Sequence, residues 1–196
     1  MIKRSESIHT FVAGYFEYLH ELSKRLDTNA IAFFVMELEA ASEKGSAVFF
    51  AGNGGSAAIA SHMANDLGIG CRRAFRKPIR AVSLTDNNST MTAVANDFGY
   101  ENLFLEQLKT LYRPGDKLVV ISASGNSANV LNAAKWVKEQ GGTVIGLTGF
   151  DGGKLRSICD ISIHVETSKG EYGPVEDIHM ILDHLIYTWF KVKAGA

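Results

Sequence analysis

The chain of 196 residues is poor in cysteine and proline and has almost no net charge. Its two cysteines, Cys71 and Cys159, form no spaced cluster. That excludes a disulfide framework and a cysteine-rich metal centre, and reads as reduced thiols used for packing in a cytosolic protein. A net charge of -1 lacks the basic excess that a general nucleic-acid surface needs, so no nucleic-acid partner is expected. No apolar run approaches the length of a membrane span. The first residues include Lys3 and Arg4, but Glu17, His20 and Glu21 interrupt the next apolar stretch too early for a secretory signal. The expected location is therefore the cytoplasm. Proline occurs only at 78, 114 and 174, each beside an expected element boundary. There is no linker, low-complexity tract or internal repeat, and a single domain over residues 1–196 is the simplest organisation.

Residues 1–45 read as a helical arm in two pieces. Phe11, Tyr15, Phe16, Leu19, Leu22 and Leu26 recur at helical spacing. Asp27-Thr28-Asn29 offers an N-cap for a second helix through Phe33, Val35, Met36, Leu38 and Ala41, which Lys44 and Gly45 close. Such an aromatic arm suits packing against a neighbouring subunit. From residue 46 the pattern changes. Short apolar runs at 47–51, 79–84, 117–121, 143–147 and 161–165 alternate with helical stretches, the last helix running from near Pro174 to about Val192. Strands apolar on both faces and separated by helices form parallel sheets covered on both sides. The expected fold is α/β, a three-layer α/β/α sandwich around a mainly parallel five-stranded sheet.

Ligands in open parallel sheets bind at the carboxyl ends of strands. Three small-residue turns fall there: Ala51-Gly52-Asn53-Gly54-Gly55-Ser56, Ser122-Ala123-Ser124-Gly125-Asn126-Ser127 and Thr148-Gly149-Phe150-Asp151-Gly152-Gly153. Glycines let backbone approach an oxyanion, helix N-termini supply amide donors, and serines add hydroxyls. None of these turns carries the lysine of a nucleoside-triphosphate loop, so a neutral, hydroxyl-rich cradle for a single phosphomonoester is the better reading. The first turn also fits the loose dinucleotide fingerprint G-x-G-x-x-G/A. However, Asp86 lies far along for a ribose contact and the second turn would have no purpose, so no nucleotide cofactor is expected.

Taken in order, Gly52-Asn53-Gly54-Gly55-Ser56, Ala95-Asn96-Asp97-Phe98-Gly99, Ser122–Ser127 and Leu147-Thr148-Gly149 with Asp151-Gly152-Gly153 resemble the bacterial phosphoheptose isomerases, a family built on the sugar isomerase (SIS) fold. The resemblance implies a homotetramer that converts sedoheptulose 7-phosphate to D-glycero-D-manno-heptose 7-phosphate through an enediol, feeding surface-polysaccharide heptose synthesis. It implies that Ser122, Ser124 and Ser127 hold the phosphate with Ser56 and Gly54 nearby, and that Asn53 and Asp97 face the sugar. The family's threonine between the first two serines is Ala123 here.

The resemblance also implies a set of His, Glu, Gln and His that binds zinc or performs the proton transfers. The matching positions are His62, Asp66, Glu176 and His184, two of them altered. His62 and Asp66 lie four apart and share a helix face. Glu176 and His184 lie eight apart, within about 80° around the axis. Asp66 or Glu176 would be the base and His184 the acid, with Zn²⁺ held by His62, Asp66, Glu176 and His184. An arginine expected after the first site helix is replaced near Gly70. His179 and Asp183 are read as polar-face residues of the last helix, in a supporting or interface role. The competing reading is a non-catalytic SIS protein that binds a sugar phosphate or a replication-initiator protein.

Overall fold

The computed structural model describes residues 7–75 and 77–195. Residues 1–6 of the expected arm therefore lie outside the described residues. Two helices open the chain, α1 (Ile8–Lys24) and α2 (Thr28–Lys44). Ser7 caps the first, its hydroxyl accepting from the Thr10 amide, and Asp27 caps the second, its carboxylate accepting from Asn29 and Ala30. Gly45 ends α2 with φ +71°, a left-handed conformation that glycine adopts without steric cost.

The strands follow in alternation with helices: β1 (Ala47–Gly52), α3 (Gly55–Asn65), β2 (Arg80–Ser83), α4 (Asn88–Phe98), α5 (Leu103–Leu111), β3 (Lys117–Ser122), α6 (Ala128–Glu139), β4 (Thr143–Phe150), α7 (Leu155–Ile158), β5 (Ile161–Glu166) and α8 (Tyr172–Lys193). All five strands are parallel, in the order β2-β1-β3-β4-β5. Every residue of the strands β1 and β3 is buried, as the apolar runs 47–51 and 118–121 require, and the polar ends Lys117 and Ser122 of β3 are buried with them. One face packs Phe34, Leu38, Phe50, Met63, Ile178 and Leu182 beneath α2, α3 and α8. The other packs Phe49, Phe104, Leu108, Leu118, Val130 and Val137 beneath α4, α5 and α6.

This strand order reverses direction of winding between β1 and β3, and such a switch point opens a crevice at the carboxyl ends of the two strands. The turns after β1 and β3 are the glycine- and serine-rich ones. The last helix starts two residues before the expected Pro174. This costs nothing, because the first amides of a helix have no intrahelical partner and proline is tolerated there. After α3 the chain widens into a π-helical turn over Asp66–Gly70.

Candidate active site

The β3–α6 turn is drawn tight by its own atoms. The Gly125 amide donates to both the Ser122 carbonyl and the Ser122 hydroxyl, each at 3.1 Å, with φ +60° at Gly125. A Cβ there would collide with the Gly152 carbonyl. The Thr148–Gly153 turn lies directly behind: Gly149 donates to the Ala123 carbonyl at 3.0 Å, Leu155 donates to the Gly125 carbonyl at 3.0 Å, and Lys154 donates to Asn126 at 3.2 Å. The third small-residue turn is thus the buttress of the second. Ala123 is itself buried, with its carbonyl engaged from behind.

Asn53, Ser56, Ser122, Ser124, Ser127, Tyr172 and Glu176 line one cleft of about 120 Å³ at the switch point. Ser56 is the second residue of α3, and Gly54 is the residue that caps that helix, at φ +56°. Gly52 lets α3 leave β1 closely, since a Cβ would stand 2.6 Å from the Ser56 carbonyl oxygen. Asn53 and Asn129 exchange amide hydrogen bonds of 2.9 Å in both directions, and Tyr100 donates to the Asn53 oxygen at 2.9 Å. Glu176 sits over the α3 N-terminus, where a Cβ on Gly55 would run into its carboxylate. Burial raises the Glu176 pKa above the ordinary glutamate value, and the neighbouring Asp177 adds to the rise.

A second group forms further along the α3–α8 seam. His62, Asp66, Asp183 and His184 bring one ligand atom each to within 4.8 Å of one another. The His62 and His184 Nε2 atoms are 3.2 Å apart, and the His62 nitrogen lies 3.5 Å from Asp66 and 3.8 Å from Asp183. Asp66 also accepts from the Asn65 amide at 3.0 Å. Burial pushes the Asp183 carboxyl up to about 7, helped by the like charge of Asp66 and opposed by His184.

Three of the four residues expected to hold a metal are therefore together, and Glu176 is not among them. Glu176 lines the serine cleft, and Asp183 is the fourth member of the cluster. Asp183 and His179, expected on a polar face, are instead fully buried. They fall among Val175, Ile178, Leu182 and Ile186, on the stripe of α8 that meets the sheet. Asp97 is exposed on α4 with its carboxylate accepting from Asn96 at 2.7 Å, and does not line the cleft. Where an arginine was expected, Gly70 lies beneath Tyr187, whose ring would stand 2.7 Å from a Cβ. Nothing in the sequence pointed to Tyr172 or Asn129 at the site, and Asp183 was expected only in a supporting or interface role. The last carried a signal, an acid at a core position of an amphipathic helix.

A crevice at the switch point of a parallel sheet, walled by a buttressed serine turn, places this chain in the class of α/β proteins with a ligand crevice at the carboxyl ends of their strands. A family model for the SIS domain matches residues 11–149. Phosphoheptose isomerase from Rhodospirillum rubrum is 43% identical over 157 residues, spanning 80% of this chain and 82% of that protein. The one from Aliarcobacter butzleri is 40% identical over 144 residues, 74% of this chain and 75% of its own. The structure of phosphoheptose isomerase from Neisseria gonorrhoeae superposes with a TM-score of 0.82 at 31% identity, covering 95% of this chain and all of that one. The chain belongs to the phosphoheptose isomerase family.

Proposed function

We propose that this chain is an aldose–ketose isomerase that interconverts sedoheptulose 7-phosphate and D-glycero-D-manno-heptose 7-phosphate, and that Glu176 carries the proton between C1 and C2. The observation that carries the assignment of Glu176 is its position. It lines the same cleft as Ser122, Ser124 and Ser127, while Asp66 is turned into the histidine cluster. Burial makes the Glu176 carboxylate more basic than an exposed one, which suits a group that takes a proton from carbon on an enediol route.

The phosphate is assigned to the Ser122–Ser127 turn, where hydroxyls and the α6 N-terminus supply donors without competing cations. Ser56 and Gly54 bound the cleft on the α3 side, and Asn53, held by Asn129 and Tyr100, is fixed at its floor for a sugar hydroxyl. Asp97 reaches sugar in this reading only from another part of an assembly. His62, Asp66 and His184 would hold a divalent cation, and imidazole with carboxylate oxygen suits Zn²⁺. The buried Asp183 carboxylate beside them fits such an ion. Once bound, zinc supplies Lewis-acid polarisation of substrate oxygens. His184, expected as the acid, points its Nε2 at His62 and is assigned to holding the cation.

The same reading takes the chain as one domain with a helical arm, cytoplasmic, and assembled as a homotetramer. The exposed apolar residues Phe11 and Phe16 on α1 and Ile181, Leu185 and Trp189 on α8 support assembly. Among the described residues no helix is long and apolar enough to cross a membrane. The test of the proton carrier is Glu176→Gln. Turnover of sedoheptulose 7-phosphate should fall by about 100-fold or more with KM little changed. Wild-type turnover in that variant would remove Glu176 from the chemistry and return the role to Asp66.

A further inference from the structure

Asp183 is 0% exposed, and neither of its carboxylate oxygens has a hydrogen-bond partner among the described residues. An ionised carboxylate in such a place is costly unless a cation or a set of donors accompanies it. Its α8 neighbours toward the sheet, Ile178, Leu182 and Ile186, are buried and apolar and offer neither. The polar groups around it include those of the cluster, His62, whose Nε2 is 3.8 Å from its Oδ2, with Asp66 and His184, and the neighbouring Cys71 thiol. Two carboxylates and two imidazoles thus converge on a common point, and the like charges of Asp66 and Asp183 oppose each other across it.

The spacing has a simple interpretation. A tetrahedral ion with nitrogen and oxygen ligands at 2.0–2.1 Å has ligand–ligand edges of about 3.3 Å. The separations from the His62 nitrogen to the other three ligand atoms are 3.2, 3.5 and 3.8 Å. Those three edges are near that length, and all four ligand atoms, on α3, at the first residue of the π-helical turn and on α8, lie within 4.8 Å of one another. Glu176 is seven residues before Asp183, roughly 10 Å along the helix axis at 1.5 Å per residue, with its carboxylate seated on Gly55.

We propose that Asp183 is a ligand of a divalent, zinc-class cation held with His62, Asp66 and His184, completing the set in the place expected for Glu176. The two carboxylates neutralise the ion and the ion offsets the burial of Asp183. The bound ion clasps α8 to α3 and leaves Glu176 free in the serine cleft. This deepens the isomerase reading given above. Its test reads metal binding alone, so it can fail while isomerisation stands, and stand while isomerisation fails.

Metal-free wild type, Asp183→Leu, Asp183→Asn and Glu176→Gln would be titrated with Zn²⁺ against a chromophoric chelator, with Co²⁺ absorption and thermal unfolding in parallel. Wild type should bind one ion per chain and gain Tm on binding. Asp183→Leu should bind at least 100-fold more weakly, lose the zinc-induced rise, and unfold at a higher temperature than metal-free wild type because a buried charge is gone. Asp183→Asn, nearly isosteric, decides the matter if the leucine variant does not fold, and should lose affinity likewise. Glu176→Gln should bind within about threefold of wild type with an unchanged Co²⁺ spectrum. Wild-type affinity in the Asp183 variants, a loss in Glu176→Gln as large as theirs, or no binding by wild type would each overturn the proposal.

Discussion

Acid should loosen this fold through a histidine that never touches solvent. His179 is fully buried on α8, with Nε2 donating to the Thr148 carbonyl at 3.3 Å and Nδ1 without a partner among the described residues. Burial holds its pKa down at about 4, against 6.5 when exposed. Between those values the unfolded chain binds a proton that the folded chain refuses, so stability falls as pH falls through that window. At pH 5 the unfolded side gains about 2 kcal/mol relative to pH 7, and the loss levels off below pH 4.

Asp183, one turn further along, works the other way. Its carboxyl is pushed up to about 7, so the folded chain holds a proton there that the unfolded chain gives up, and acidification from pH 7 favours the fold. A wild-type profile alone would therefore be flattened. The informative experiment is the difference in urea unfolding free energy between metal-free wild type and His179→Gln at pH 7 and pH 5. Glutamine keeps a donor for Thr148 and does not titrate. The wild type should lose about 2 kcal/mol more than the variant over that interval. Parallel profiles would refute a neutral buried imidazole at this position.

Replacing Gly125 with alanine forces a left-handed residue to carry a Cβ into the Gly152 carbonyl, and the serine turn and its buttress must part. Stability should drop by about 1–3 kcal/mol, and calorimetry should show inorganic phosphate binding at least tenfold more weakly. The two thiols should be inert in the folded chain, since burial pushes Cys71 up to about 11 and Cys159 up to about 12. Alkylation at pH 8 should be slow until denaturant is added, and fast labelling of either native thiol would contradict the packing.

Much of the fold was legible because it follows from short-range rules. The Asp27 cap and the Gly45 stop sit where the helix-end signals of the sequence place them. β1 and the 118–121 run of β3 announce themselves by being apolar on both faces. The π-helical turn at Asp66–Gly70 was not legible, because it lies where α8 crosses and Tyr187 covers Gly70, a contact between residues more than a hundred positions apart. The site divides along the same line. The serine turn could be read locally, but its buttress by Gly149–Gly153 could not, since that depends on the pairing of β3 with β4. Asp183 and His179 were read by polarity, whereas their place on the stripe shared with Ile178 and Leu182 decides that they are buried.

The most direct measurement is conversion of sedoheptulose 7-phosphate by the zinc-loaded wild-type protein in deuterated water, followed by NMR. An enediol isomerase should form the heptose 7-phosphate, with the hydrogen at its C2 either carried over from C1 or exchanged for solvent deuterium while on the base, and both formation and exchange should depend on Glu176. A protein that binds the sugar phosphate without forming the aldose, or that forms it at the wild-type rate after Glu176→Gln, would contradict the carboxylate-mediated isomerisation proposed here.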